Sequence, residues 1–438
     1  MKFRGLIAAV VVLAGLGGWL WWSQKHPSKP APETPTLPAL FKVDAHAVTS
    51  VTLTSKGARP LTVFPSGSDA WKITAPAEYR ADADTVNGMI RSLTDLHPVS
   101  VVDEHAVNLA PYGLSDPAVT VKVDERNHQS AGLSLGDKTP TGGGYYAMIP
   151  GTARVYTVDT SVESSLAKSL DDLRDKHLLP VQSAAVNSLE ITGKDKDVAI
   201  ARKPGGWQIQ KPQPFRTDNY AVDNLLQQLT SATFDPATNP ADAAASFAKS
   251  TPVATVKLSS ASGTDTLEVR KSKNDDYAKS SASQGVWKID SSLTGALDRS
   301  ADAYRNKQLF DFGFTDPNRI DYHAGATSVS LERKDNDWYS NGKRMDAATA
   351  SALVDAVRGL SASKLVDSGY SKPDIDLTVV SNNGKDTATA HFQKTADGAI
   401  AKRDDSPGLY SFDSTTMNSL YSAISGLKPA ASAAAKKK

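Results

Sequence analysis

From about residue 44 the chain alternates between two hydrophobic periods. Short runs place apolar residues with polar ones between them: Val48, Val51 and Leu53; Val119-Thr120-Val121-Lys122-Val123; Gly132-Leu133-Ser134-Leu135. That spacing predicts strands with one buried face. At three places the period lengthens to that of a helix. The stripes are Val86, Met89, Ile90, Leu93; then Val222, Leu225, Leu226, Leu229; then Leu353, Ala356, Val357, Leu360. The second stripe follows the first by 136 residues and the third follows by a further 131. Asp82 and Asp218 stand at cap positions. Thr349 holds that place in the third copy, with Asp346 as the alternative. Trp71, Trp207 and Trp338 precede the three helices at matching places.

A second pattern recurs at the same scale: apolar, aromatic, any residue, apolar, Asp, then two hydroxyl residues. It reads Val155–Ser161, Val286–Ser292 and Leu409–Thr415. Each copy runs into a helix-like segment, so Asp159, Asp290 and Asp413 are expected to cap helices. A domain-sized period implies a repeat protein. Each unit reads as two strand meanders, each closed by a helix. The expected fold class is α+β: a single N-terminal transmembrane helix, then three repeated units of antiparallel strand meanders packed with helices. The boundaries are an anchor at 1–22, a Pro-rich linker at 23–43, units at 44–180, 181–316 and 317–428, and a disordered Ala/Lys tail at 429–438.

Residues 6–22 carry no charge and span about 25 Å as a helix, the short end of a membrane crossing. Trp19, Trp21 and Trp22 gather at the far end, where indoles prefer the interface. No small residues mark a cleavage site there, so an uncleaved signal-anchor is expected. The charge bias favours the N-terminus inside and the bulk outside the membrane. Five prolines between His26 and Leu40 make an extended spacer. The chain has 438 residues, with 49 basic against 48 acidic and no cysteine. Thiolate metal sites, Cys nucleophiles and disulfides are therefore excluded. No global field or local basic run outside Lys436–Lys438 favours nucleic acid.

The stretch Leu173–Leu179 leads out of the first unit and matches Tyr304–Phe310, 131 residues on. It has no counterpart before the C-terminal tail. It reads as a junction between units. Arg174, Lys176, Arg305 and Lys307 are its candidate inter-unit or partner contacts.

The single anchor, Trp71-Lys72-Ile73-Thr74 with Pro76, the Ala-Asp step into a helix, Tyr112-Gly113-Leu114 with Pro117, the glycine-flanked Tyr145-Tyr146 and Leu173-Arg174-Asp175-Lys176 together resemble the bacterial domain of unknown function 4340 family. The resemblance is best over residues 45–200. It implies an envelope protein, in company with export-type ABC transporter components, and it brings no catalytic residues.

Catalytic patterns fare poorly. Gly132-Leu133-Ser134-Leu135-Gly136 matches a nucleophile elbow, but that motif needs a helix immediately after the serine. The repeats put Glu268 and His391 at the serine's place. Gly142-Gly143-Gly144 lacks the following Lys-Ser/Thr of a phosphate loop. Asp103-Glu104-His105 and Asp82-Ala83-Asp84 read as a loop and a helix start. The three tryptophans read as core. No cofactor or metal is implied. The expectation is a non-enzymatic envelope module that binds or scaffolds proteins. The alternatives are an envelope hydrolase, and a lipid or glycan binder using a groove between units.

Overall fold

The computed structural model describes residues 37–67, 70–126 and 129–431. The chain divides into two compact units that meet in sequence at Asp175 and Lys176. The first holds one sheet and the second holds two.

In the first repeat the chain forms β1 (Val48–Ser55), β2 (Leu61–Pro65), β3 (Trp71–Ala75) and β4 (Tyr79–Ala81). After helix α1 (Ala83–Thr94) come β5 (Ser100–Asp103), β6 (Val119–Glu125), β7 (Ser130–Lys138), β8 (Gly144–Met148) and β9 (Val155–Asp159), then α2 (Thr160–Leu166) and α3 (Leu170–Leu173). The sheet order is β4-β3-β2-β1-β6-β7-β8-β9-β5. The two meanders pair through their first strands, Val51 opposite Val123 and Leu53 opposite Val121. Two half-sheets thus become one, and its apolar face is covered by α1 with Val86, Met89, Ile90 and Leu93. Each such side chain contributes roughly 1.5–3 kcal/mol by leaving water.

The second repeat follows the same plan with β10 (Val186–Gly193), β11 (Lys196–Lys203), β12 (Gly206–Lys211), α4 (Asn219–Ser231), α5 (Pro240–Lys249), β13 (Thr251–Ser260), β14 (Gly263–Lys271), β15 (Asp276–Ser280), β16 (Trp287–Ile289) and α6 (Ser291–Leu297). Its sheet has seven strands, β12-β11-β10-β13-β14-β15-β16. The two edge strands of the first repeat shrink here to single bridges, Gln208 with Arg216 and Phe234 with Ile289.

The third repeat comprises β17 (Arg319–Ala324), β18 (Thr327–Lys334), β19 (Asp337–Ser340), β20 (Lys343–Arg344), α7 (Ala347–Arg358), β21 (Lys364–Val366), β22 (Ile375–Ser381), β23 (Asp386–Thr395), β24 (Gly398–Arg403), β25 (Leu409–Asp413) and α8 (Ser414–Ser425). Nine strands return, ordered β20-β19-β18-β17-β22-β23-β24-β25-β21. Here the helix register differs from the expected one. Asp346, not Thr349, caps α7, and the buried stripe is Ala350, Leu353, Val354 and Val357. The helix stands 128 residues after α4, not 131. The cause lies upstream: β19 and β20 join through the tight turn Asn341-Gly342, both at positive φ, as a two-residue hairpin requires. The first two repeats use longer loops there.

The balance of structure corrects the α+β expectation. The fold is mostly antiparallel sheet, three sheets with 41% strand and 23% helix. Because both meanders of a unit share one sheet, short helices suffice to cover its apolar face. The expected transmembrane helix at 6–22 lies outside the described residues, as do residues 23–36 of the linker and 432–438 of the tail. Among the described residues no helix is long and apolar enough to cross a membrane.

Candidate functional site

Two stretches of the chain repeat a hydrogen-bond pattern that no side chain specifies. In the first, Asp82 N–H donates to Leu173 O at 2.8 Å and Asp175 N–H to Arg80 O at 3.0 Å. Three residues later the partners belong to the second repeat: Phe234 N–H donates to Lys176 O at 3.0 Å and Leu178 N–H to Ala232 O at 2.9 Å. In the second stretch Asp218 N–H donates to Tyr304 O at 2.8 Å and Asn306 N–H to Arg216 O at 2.9 Å. Then Ala362 N–H donates to Lys307 O and Leu309 N–H to Leu360 O, both at 2.8 Å. Each stretch pairs backwards first and forwards second. The buried residues follow the same division. Leu173 belongs to the first core and Leu178 and Leu179 to the second; Tyr304 belongs to the second and Leu309 and Phe310 to the third. Paired main-chain groups make these segments strands in all but length.

The backward half also exists at the end of the third repeat. Asp346 N–H donates to Lys428 O at 2.9 Å and Ala430 N–H to Arg344 O at 2.9 Å. Sequence comparison misses it because Lys428-Pro429-Ala430 shares no side-chain pattern with Leu173–Asp175.

Side chains differ more. Arg174 lies over the Tyr79 ring at 4.3 Å and Arg305 over Phe215 at 3.8 Å. Burial pushes the Arg174 guanidinium below its ordinary pKa, with Tyr79 and Asp171 opposing. Arg305 is only 6% exposed and pairs with Asp302 at 2.8 Å. Lys176 is half-buried and Lys307 exposed, and both are engaged here through their carbonyls. The second stretch has two further arginines. Arg216 Nη1 donates to Gln308 O at 2.6 Å and Leu309 O at 3.3 Å. Arg403, 5% exposed, donates to Leu309 O and makes a two-pronged pair with Asp405 at 2.7 and 2.6 Å. The Arg403 hydrogen bond holds the Asp405 carboxyl below its ordinary pKa; burial opposes, and Arg216 adds attraction. A cleft of about 430 Å³ opens beside this cluster, with Lys385 and Asp386 on its rim. Its lining is mainly polar, unlike the apolar groove a lipid would need.

A family model described as a domain of unknown function, DUF4340, matches residues 71–206 and again 207–379. The chain belongs to the DUF4340 family. Both matches begin at the equivalent tryptophan, Trp71 and Trp207, so the family pattern repeats with the structural period. None of the curated proteins compared with the chain matches it. Among solved structures, the DNA polymerase III subunit beta from Pseudomonas aeruginosa aligns over 86% of this chain and 92% of its own, at 10% identity and a TM-score of 0.15. So weak a likeness carries neither fold nor function.

The DUF4340 motifs serve packing. Trp71, Trp207 and Trp338 are buried, with Trp71 Nε1 donating to Asn87 at 3.1 Å and Trp207 Nε1 to Asp223 at 2.8 Å. Ser134 lies inside β7, 5% exposed, against Thr120 Oγ1 at 3.1 Å. Gly136 is needed because the Tyr112 carbonyl occupies the place of a side chain. Gly142–Gly144 form the β7–β8 turn. Asp103 accepts from His105 N–H at 2.9 Å and from the Tyr112 hydroxyl at 3.3 Å, and Glu104 pairs with Arg154. Asp82 caps α1 through Thr85 N–H at 2.7 Å, with the exposed Asp84 in the first turn. Asp159, Asp290 and Asp413 accept from Ser161, Ser292 and Thr416 N–H at 2.8 Å each; the hydroxyl and then the N–H of Ser161 and of Ser292 lower the first two pKa values, and the N–H and then the hydroxyl of Thr416 lower the third.

One position collects three chemistries. Ser134 faces Thr120, Glu268 faces Thr255 and His391 faces Asp376 across equivalent strand pairs. His391 Nδ1 lies 2.6 Å from Asp376 and Nε2 lies 3.0 Å from Asp404. The Asp376 hydrogen bond raises the imidazole pKa; burial opposes and Asp404 assists. Carboxylates at both nitrogens favour the protonated ring and make it a weaker acceptor of further protons. Among the described residues no group of three His, Asp or Glu side chains is arranged to hold a metal ion.

Proposed function

We propose that the protein is a scaffold of the bacterial envelope, held to the inner membrane by residues 6–22 and displaying three coupled sheet repeats outside it. Its partners are envelope proteins, with ABC-type exporter components the leading class. The observation that carries this reading is the recurring junction segment, whose first half pairs its main chain with the preceding repeat and whose second half pairs with the following one. A series of linked sheets presents surface to other proteins. The settings of Ser134 and His391 supply no nucleophile–base pair, which favours a scaffold over a hydrolase.

The test is crosslinking of the full chain in intact cells, followed by membrane isolation, alkaline carbonate washing and mass spectrometry of the captured proteins. The expected result is retention in the washed membrane with a reproducible set of envelope proteins crosslinked to residues 44–428. Recovery of an unpartnered protein in the soluble fraction would overturn the proposal.

A further inference from the structure

One end of the second sheet carries a cleft of about 690 Å³ walled by lysines. Lys194 and Lys196 come from the β10–β11 turn, Lys249 from the last turn of α5, and Lys271 and Lys273 from the β14–β15 connection. A single lining carboxylate, Asp298, stands against five ammonium groups.

Part of this charge answers the fold. Lys196 Nζ donates to Leu297 O at the end of α6 at 2.7 Å and lies 3.5 Å from Asp298. Lys249 closes α5. Cations are favourable at helix C-termini. That explains two lysines of the five. Lys194, Lys271 and Lys273 are exposed, stand at hairpin ends and make no ion pair among the described residues. Lysine recurs at this end of the other two sheets, but there carboxylates accompany it. At the same end of the first sheet Lys56 is paired with Asp116 at 2.9 Å, with Asp137 close by. The third sheet carries Lys394 at that end together with Asp374 and Asp397.

We propose that this cleft binds an anion bearing phosphoryl groups, either a free phosphorylated solute or the headgroup of a lipid. Like charges gathered around a concavity focus a positive field and repel one another until an anion enters. Lysine suits phosphate because its ammonium acts as a point charge, so several can share one group of oxygens without a fixed fork. Ser272 and Thr251 line the same cleft.

The test uses the full chain in an uncharged detergent and isothermal titration with two probes, inorganic pyrophosphate and detergent micelles doped with phosphatidylglycerol. A variant carrying Lys194→Gln, Lys271→Gln and Lys273→Gln leaves Lys196 and Lys249 to their helices. The expected result is saturable binding of at least one probe, weakened about tenfold or more in the triple variant at unchanged melting temperature. A pyrophosphate response identifies a free solute as a source; a response confined to doped micelles identifies a headgroup. If the triple variant melts lower, Lys273→Glu is read in its place and weakens binding in the same direction. Absence of saturable binding by the parent protein, or equal binding by a stable variant, overturns the proposal.

Discussion

The segments Leu173–Leu178 and Tyr304–Leu309 make the same main-chain bonds and yet differ in how side chains support them. In the first, Arg174 stacks on Tyr79 and Arg80 meets Asp175 at 3.2 Å. In the second, the corresponding Arg305 is sealed from solvent, and Arg216 and Arg403 both donate to the carbonyl of Leu309. The boundary between compact units falls inside the first segment and not inside the second. The difference teaches that the path of the chain is set by backbone pairing. Arginines from the second and third repeats converge on the second segment, which lies within one compact unit. A planar guanidinium suits this work because it bonds in a fork while its face packs on an aromatic ring.

The sharpest way to break the comparison is Arg403→Met. It strips the Leu309 carbonyl of a charged donor and leaves Asp405 without its partner. Arg403 is buried but Asp405 is 57% exposed, so water screens the pair and the cost, about 2–3 kcal/mol, comes mainly from the lost charged hydrogen bond to Leu309. Hydrogen exchange in the full chain should show faster opening of Leu309 and Ala362 amides, while the amides of Leu178 and Phe234 keep their protection. Uniform protection across both stretches would show that Arg403 clamps nothing.

Arg305→Ala and Arg174→Ala sharpen the same contrast with smaller effects. Arg305 should cost about 2 kcal/mol, chiefly from its buried stacking on Phe215, since Asp302 is 53% exposed and that pair adds little. Arg174, half-buried, should cost less than about 1 kcal/mol. Urea unfolding of the two full-length variants measures both. Equal midpoints would mean that the difference in burial has no energetic consequence.

Much of this architecture was legible in the chain, for reasons tied to local pattern. The stripes of α1 and α4 sit four, seven, eight and eleven residues after their capping aspartates, so periodicity and cap agree. The third stripe was read three residues late. Leu353 and Val357 fit both registers, and the Asn341-Gly342 turn that shortens the preceding loop changes no apolar residue. The fusion of two meanders into one sheet was not legible either. It depends on β1 pairing with β6 across some 70 residues, and alternation within a strand does not name the neighbour. The junction was visible in Leu173–Leu179 and Tyr304–Phe310, but its support was not. Arg403 lies 94 residues from Leu309, in a run of ordinary surface-like composition. The lysine cleft is invisible in the sequence for the same reason: its five members come from three separate segments, and no continuous basic run marks them.

The smallest effect expected is the pH dependence of the second junction through Asp405. Arg403 lowers its folded pKa, so the unfolded carboxyl, near the ordinary value of about 3.9, binds a proton first as pH falls. The stability contributed by this pair is therefore fully present above that ordinary value. It is lost as pH falls through the folded pKa, when Asp405 protonates and releases Arg403. Its size is modest because the carboxylate side chain is 57% exposed and water screens the pair. Asp405→Asn keeps the shape and removes the charge. The variant should begin less stable at neutral pH and lose less than the parent between about pH 5 and pH 2. Urea midpoints of the two full-length proteins, followed across that range, measure the difference. Parallel pH profiles would mean that Arg403 is held by its bond to Leu309 alone, and that the second junction differs from the first by arginine-to-carbonyl hydrogen bonds without a contribution from the Asp405 charge.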